Sequence, residues 1–293
     1  MLKFNQLLAD KQIMNSIKLT SIILLVFLLN SCTEKKVKST IQTVKLSHGI
    51  DESAGGDSTY IISTIAATYY LEKEGGGLSS MLDKDGVDWL GFHKKEGSAH
   101  KGEYRGFPNA IHKQDGSFFH AMNAKTDSSS SVVNMVSDDQ VRITFTSGNG
   151  QWEGQWDFYA DRCDFTMSKI SPGYKYWVQY EGVPGGEMDS TDFWYSSADS
   201  DLHGITETSE GDLPDPEWMA FGDQESPRVL YLLHHENDTF PDNYVSRPDM
   251  TVLGFGRENK DKFLTSVQTF SIGFIQSKKY EEIEGAIKRK LLF

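Results

Sequence analysis

The sequence predicts an all-β protein, an antiparallel β-sandwich closed by one C-terminal helix. Three observations carry this. Short runs rich in Ile, Val, Thr and aromatic residues recur along the chain, separated by Gly, Asp, Asn and Ser clusters. Helical periodicity is nearly absent until Tyr280–Leu292, where Tyr280, Ile283, Ile287 and Leu291 follow an i, i+3, i+4 pattern. No internal repeat or linker divides the chain, so one large β-domain is the economical expectation.

The first residues are expected to lie outside that domain. Lys18 precedes the apolar run Ile22–Leu29, and Leu29-Asn30-Ser31-Cys32 follows directly. A basic region, a short apolar core and a small residue before the cut make a secretory signal. The run is too short to span a bilayer as a helix. With Cys32 first after the cut, the segment resembles a bacterial lipobox, which implies cleavage before Cys32, lipidation of its thiol and anchoring at the cell envelope. Met14 would start a compact signal of this kind. The expected organisation is a signal over 1–31, a polar tether and first strand over 32–58, and a single sandwich over 59–293.

The chain carries 42 acidic and 29 basic residues, a net charge of −13. Removing 1–31 takes away three Lys and one Asp and leaves it more acidic. That balance excludes nucleic acid, whose phosphates require a basic face. The two cysteines are Cys32 and Cys163. Once Cys32 is lipidated no intrachain disulfide remains, and Cys163 reads as a small buried apolar residue.

Taken in order, Ile41–Leu46 and Thr59–Leu71 are expected strands, and Leu78–Leu82 resumes after a triple-glycine break. Asp83-Lys84-Asp85-Gly86 has turn chemistry, with Gly supplying positive φ. Its aspartate spacing faintly resembles a calcium loop but lacks the later bidentate Glu, so no metal is expected there. Val133–Val136 and Val141–Thr146 alternate apolar with polar, the pattern of half-buried antiparallel strands. Trp152, Trp156 and Phe158 share one parity and are best placed in the core. From Gly182 to Asp223 the chain is poor in aliphatics and rich in Gly, Pro, Asp and Ser, which reads as a long functional loop region. Strands return at Arg228–His235, Met250–Gly256 and Thr265–Ile275.

Candidate chemistry concentrates in Lys101–His120. This segment packs Glu103, Tyr104, Arg105, Asn109, His112 and His120 between glycines and a proline. Loops carrying such groups on a rigid scaffold are where sites are built. Arg105 offers a planar fork for a bidentate carboxylate clamp, and Asn109 a second donor. His112, His120, His234 and His235 are candidate acids or bases, since imidazole titrates near neutrality. Tyr104 and Tyr180 qualify if a neighbouring cation lowers their pKa. The His234-His235 pair ends an apolar strand, so one ring should face each way. Glu181 and Glu187 with Asp189 are also placed for a glycosidase pair. The eight histidines include no HExxH-type spacing, so neither zinc nor another cofactor is expected.

The stretch GGGLSSMLDKDGVDWLGF resembles the opening hairpin of β-sandwich domains in the galactose-mutarotase-like group. The pieces EYRGFPNAI, VQYEGVPGGEMD, EGDLPDPEWMAFGD and TVLGFGR are similar to small secreted lipoproteins of polysaccharide-degrading bacteria, nearest to ulvan oligosaccharide dehydratases. The resemblance implies a supersandwich fold and, as activity, formation of an unsaturated uronate from uronic-acid oligosaccharides by a dehydratase or lyase. On that basis Arg105, His112, His120, Tyr180, His234 and His235 are the candidate catalytic groups. Tyr104, Asn109, Glu181, Glu187, Trp194 and Arg257 are the candidate substrate-binding groups. The alternative is a non-catalytic glycan-binding lipoprotein with Trp194, Tyr195 and Trp218 as its platform; a monomer is expected in either case. A glycoside hydrolase ranks third.

Overall fold

A computed structural model describes residues 42–52, 56–91, 105–111, 118–121 and 129–291. The expected signal, the lipidation site Cys32, the tether, Tyr104 and His112 lie outside the described residues.

Four strands open the chain as an antiparallel meander: β1 (Val44–Asp51), β2 (Asp57–Thr64), β3 (Ala67–Glu72) and β4 (Leu78–Asp83). The Thr59–Leu71 run is thus a hairpin and not one strand. Thr64 Oγ1 accepts the N–H groups of Ala66 (3.1 Å) and Ala67 (3.0 Å), an ST-type turn that alternation alone does not reveal. The Asp83–Gly86 turn is present, with Asp83 Oδ1 accepting the N–H groups of Asp85 and Val87.

β5 (Ser130–Val136), β6 (Val141–Thr146), β7 (Glu153–Phe158) and β8 (Arg162–Lys169) form half of a nine-stranded sheet. β9 (Val178–Gly182) leaves for a separate four-stranded sheet. β10 (Asp192–Ser196), β11 (His203–Gly204), β13 (Trp218–Asp223), β14 (Val229–His234) and β19 (Gln268–Ile275) complete the large sheet, in the order β11-β10-β13-β14-β19-β8-β7-β6-β5. β12 (Ser209–Gly211), β15 (Asp242–Arg247) and β16 (Met250–Phe255) join β9 in the order β12-β15-β16-β9. A short hairpin, β17 (Arg257–Glu258) and β18 (Asp261–Lys262), follows.

The 182–223 region therefore departs from expectation: it contributes two central strands, DFWYS and WMAFGD, both buried along almost their whole length. Flanking Asp, Ser and Pro lower the regional hydropathy and hide them. These strands and β14 are covered on both faces. Trp194, Met219, Phe221, Leu230 and Leu232 enter the main core with Trp156, Phe165, Tyr180 and Tyr244. Phe193, Tyr195, Trp218, Ala220, Tyr231 and Leu233 pack instead on α1 (Tyr280–Lys290) through Ile283 and Ile287. Glu281 and Glu282 in its first turn and Lys288, Arg289 and Lys290 in its last complement the helix dipole.

Candidate active site

β9 reads Val178-Gln179-Tyr180-Glu181-Gly182, and strand alternation divides it between two environments. Tyr180 faces the core: its hydroxyl donates to the Trp89 carbonyl at 2.9 Å, and its ring stacks on Phe221 at 5.5 Å. Burial pushes its phenol pKa well up, opposite to what a base requires, so the expected role for Tyr180 gives way to a structural one. Trp177, Gln179 and Glu181 share the other face.

Three segments furnish that face. On β16, Gly254 pairs with Gln179 and Val252 with Glu181. A Cβ at Gly254 would collide with the Arg257 stem, so glycine there lets the arginine lie flat across the sheet. The Arg257 guanidinium then donates to Gln179 Oε1, lies 5.0 Å over the Trp177 ring, and sends Nε to the Asn259 carbonyl at 3.0 Å. On the other edge of β9, residues 106–110 run antiparallel to it. Gly106 and Glu181 exchange backbone hydrogen bonds of 2.8 and 2.9 Å, and Gln179 N–H donates to Pro108 at 2.7 Å. Asn109, in the left-handed region at φ 38°, turns its Nδ2 to Glu181 Oε1 at 3.2 Å while its carbonyl accepts Trp177 Nε1 at 2.7 Å. Gln179 Nε2 donates to the same Glu181 oxygen.

Glu181 is 6% exposed, and burial pushes its pKa up to about 7, against the charges of Arg247 and Arg257 and the donors Gln179 and Asn109. A carboxyl poised at neutrality can take or give a proton. Lys262 stands 4.5 Å over the Trp177 ring, and burial lowers its pKa to about 8. The face thus sets one titrating carboxyl among Arg247, Arg257 and Lys262 in a chain that is acidic overall.

Asn109, Glu181 and Arg257 are brought together from the sequence-derived set. Gln179, Arg247 and Lys262 were missed. For Gln179 a signal existed, since a Gln sharing parity with a Glu inside an apolar strand marks a polar face. Arg105 lies beside this ladder, its Nη1 donating to the Gly91 carbonyl at 2.9 Å. His120 is buried, with its Nε2 3.2 Å from the position a Cβ would take at Gly106, the residue paired with Glu181. Glu187 is exposed beyond the end of β9, and Asp189 is committed to the Thr191 N–H and hydroxyl at 2.6 Å each.

Trp194 does not form a platform. It is 3% exposed, His203 stacks on it at 3.9 Å, and Tyr244 meets it edge-on. Tyr195 and Trp218 are buried beneath α1. The two histidines at the end of β14 do face opposite ways, but into other networks. His235 Nε2 meets Ser271 Oγ at 2.6 Å, and Ser271 donates to Asp164 at 2.6 Å. His234 is held between Glu217 at Nδ1 and Gln268 Oε1 at Nε2 (2.7 Å), stacked on Phe270 at 4.4 Å. Burial alone lowers its pKa, but the Glu217 hydrogen bond and the charges of Glu217, Asp238 and Asp242 outweigh it and raise the net value. Glu217, His234 and Asp238 bring ligand atoms within 4.8 Å of one another. Both imidazole nitrogens face acceptors, however, so the protonated ring already supplies the positive charge this group needs.

The fold recurs in solved structures. A protein designated HI1317 superposes with a TM-score of 0.53 at 12% identity, covering 79% of this chain and 99% of that one. A galactose mutarotase related enzyme from Lactobacillus acidophilus superposes with a TM-score of 0.50 at 7% identity, covering 75% and 99%. No protein-family model matches the chain, and no curated protein matches its sequence. At such identities the likeness defines architecture alone: the chain has the galactose-mutarotase-like β-sandwich fold.

Proposed function

We propose that the protein is a carbohydrate-active enzyme that abstracts a proton beside the carboxylate of a uronic-acid sugar, with Glu181 as the base. The observation that carries this is the buried Glu181 carboxyl, near pKa 7, on one sheet face with Arg257, Asn109, Gln179 and Lys262. The C5 proton of a uronate becomes acidic only when its carboxylate is neutralised and the developing enediolate is stabilised. Arg257 and Lys262 supply that charge, and Asn109 a hydrogen bond. The C5 proton passes to Glu181, its bonding pair forms the C4–C5 double bond, and the C4–O bond breaks. In this reading the departing oxygen takes a proton from His120, whose Nε2 lies 3.2 Å from the Cβ position of Gly106, the residue paired with Glu181, and leaves as water or as the hydroxyl of the severed sugar.

The test is the ultraviolet absorbance of the unsaturated uronate on incubation with uronic-acid oligosaccharides. Glu181→Gln should lower the rate about 10²–10⁴-fold, the usual contribution of a positioned acid or base. Full activity in that variant sinks the assignment. A second reading is favoured by the same near-neutral carboxyl and by the solved neighbour named as galactose mutarotase related: interconversion of sugar anomers. It leaves absorbance unchanged and is read by polarimetry. The acidic chain with a locally cationic face favours the anionic substrate.

The lipobox-like LLNSC segment supports a further part of the proposal, attachment to the cell envelope through a lipid on Cys32. Protein extracted from membranes should begin at a diacylglyceryl-modified Cys32, and Cys32→Ala should move it to the aqueous fraction. An unmodified Cys32 preceded by residues 14–31 overturns this.

A further inference from the structure

Trp177, Gln179 and Glu181 stand two residues apart on one face of β9, about 6–7 Å from each to the next. Each is accompanied by a cation from another element: Lys262 over Trp177, Arg257 on Gln179, and Arg247 beside Glu181. The line does not stop at Glu181. Thr251 pairs with Gly182, and the closing pair of the β15–β16 hairpin is Arg247 with Met250. The hairpin tip, Ser246 to Pro248, therefore sits just past the end of β9. After Gly182 the chain makes a single 3-10 turn at Pro184–Gly186 and returns as Met188 to Ser190.

Between these two segments opens a cavity of about 470 Å³. Its walls are Met188, Ile205 and Pro248, which are apolar, Ser190, Thr206 and Ser246, which carry hydroxyls, and the opposed charges of Asp189 and Arg247. Asp189 is taken up by the Thr191 N–H and hydroxyl, which leaves Arg247 as the charge offered to a ligand. Apolar patches, a few hydroxyls and a cation suit a sugar ring with C–H faces on one side and hydroxyls and an acidic group on the other. Arg247 is shared, lining the cavity while its charge acts on Glu181.

We infer that this cavity is a second sugar subsite, in line with Glu181, which receives the neighbouring residue of an oligosaccharide and reads an acidic group on it through Arg247. The inference rests on the reading of Glu181 as the reaction centre for a uronate and deepens it: the substrate is an oligosaccharide with negative charge on two adjacent residues, rather than a monosaccharide.

Calorimetry with three probes tests this on the full chain: glucuronic acid, a disaccharide of glucuronic acid with a neutral pyranose, and the same disaccharide with a sulfate on the pyranose. Wild type should bind the sulfated disaccharide about tenfold more tightly than the neutral one. Arg247→Gln should erase that ratio, so that the sulfated and neutral disaccharides bind alike. Thr206→Trp, an exposed position whose ring would fill the cavity, should weaken both disaccharides and spare the monosaccharide. It also keeps the test open if Arg247→Gln does not fold. Equal loss for all three probes in either variant, or no preference in wild type, overturns the subsite. If the preference holds and depends on Arg247 while no product forms, the subsite stands and the catalytic reading falls. Turnover of the monosaccharide as fast and as tightly bound as the disaccharides has the reverse meaning.

Discussion

Glu181 on β9 and Glu217 just before β13 are both buried carboxyls of one sandwich, and they have been given opposite partners. Glu217 is locked onto His234, whose second nitrogen is held by Gln268, so the charge is cancelled inside a closed network. Glu181 receives hydrogen bonds from two neutral amides, and the charges of Arg247 and Arg257 act on it. One arrangement fixes a proton and the other leaves it free to move. A histidine near a strand end is therefore weaker evidence of proton chemistry than a carboxyl that burial has made ambivalent.

The largest effect that would break this contrast is on rate. Glu181→Gln should lose about 10²–10⁴-fold in turnover yet remain folded. It should even gain stability at alkaline pH. The folded pKa of about 7 lies above the ordinary 4.5, so the native state favours the protonated form. Stability contributed by that proton is complete below pH 4.5 and lost as pH rises through 7, a cost on the order of 3 kcal/mol. Gln removes that cost. Urea denaturation at pH 5 and pH 8.5 measures it, and a variant destabilised at both values would show a structural glutamate instead.

Glu217→Ala should do the reverse, leaving His234 buried without its partner and costing about 3–5 kcal/mol of stability, with turnover per folded molecule unchanged. His234 also has a raised pKa. Its contribution is present below 6.5 and fades as pH climbs through the folded value, a window that opens at higher pH than that of Glu181. Thermal melts of His234→Gln across pH 6 to 9 should show the upper part of the wild-type decline flattened. Loss of turnover in a folded Glu217 variant would erase the distinction between the two regions.

A more modest effect belongs to Lys262, whose pKa of about 8 keeps it charged at neutrality and neutral above it. The wild-type KM for a uronate should rise as pH passes 8. Lys262→Met should raise KM at pH 7 on the order of fivefold, roughly 1 kcal/mol for a partly screened charge, and abolish the alkaline rise. An unchanged KM profile would remove Lys262 from the site.

Much of the architecture was legible in the residues. The antiparallel strands, the Asp83–Gly86 turn, the aromatic core around Trp156 and the closing helix all rest on local patterns. Strands β10 and β13 were not, because a strand buried on both faces does not alternate and its polar flanks dilute the regional composition. The site was legible in part. Asn109, Glu181 and Arg257 carry chemistry that stands out singly, but their meeting depends on β9 pairing with β16 and with residues 106–110. Register between segments some 70 residues apart is not written in either one. The Arg247 and Lys262 positions follow from the same pairing, and Tyr180 was misplaced because it sits one residue from Glu181, hence on the other face.

The smallest effect is expected at Trp194, which the sequence offered as a sugar platform. Its ring is in the core, sandwiched by His203 and met by Tyr244, and its Nε1 donates to the Glu207 carbonyl at 3.2 Å. His203 is in turn held by Asp199 (3.0 Å) and Glu207 (3.1 Å), which outweigh burial and raise its pKa. The assembly clasps the β10–β11 connection, and Trp194 enters the main core with Tyr180, whereas Glu181 lies on the opposite face of β9. Trp194→Phe keeps an aromatic face under His203 and loses one neutral hydrogen bond, worth about 1 kcal/mol. The melting temperature should drop by a few degrees, as a domain of this size gives roughly 2–4 °C per kcal/mol. Affinity for the uronate probes should not change. If it falls as far as in an Arg257→Lys variant, the ligand reaches Trp194 after all, and the contrast between the open carboxyl and the closed networks around it fails.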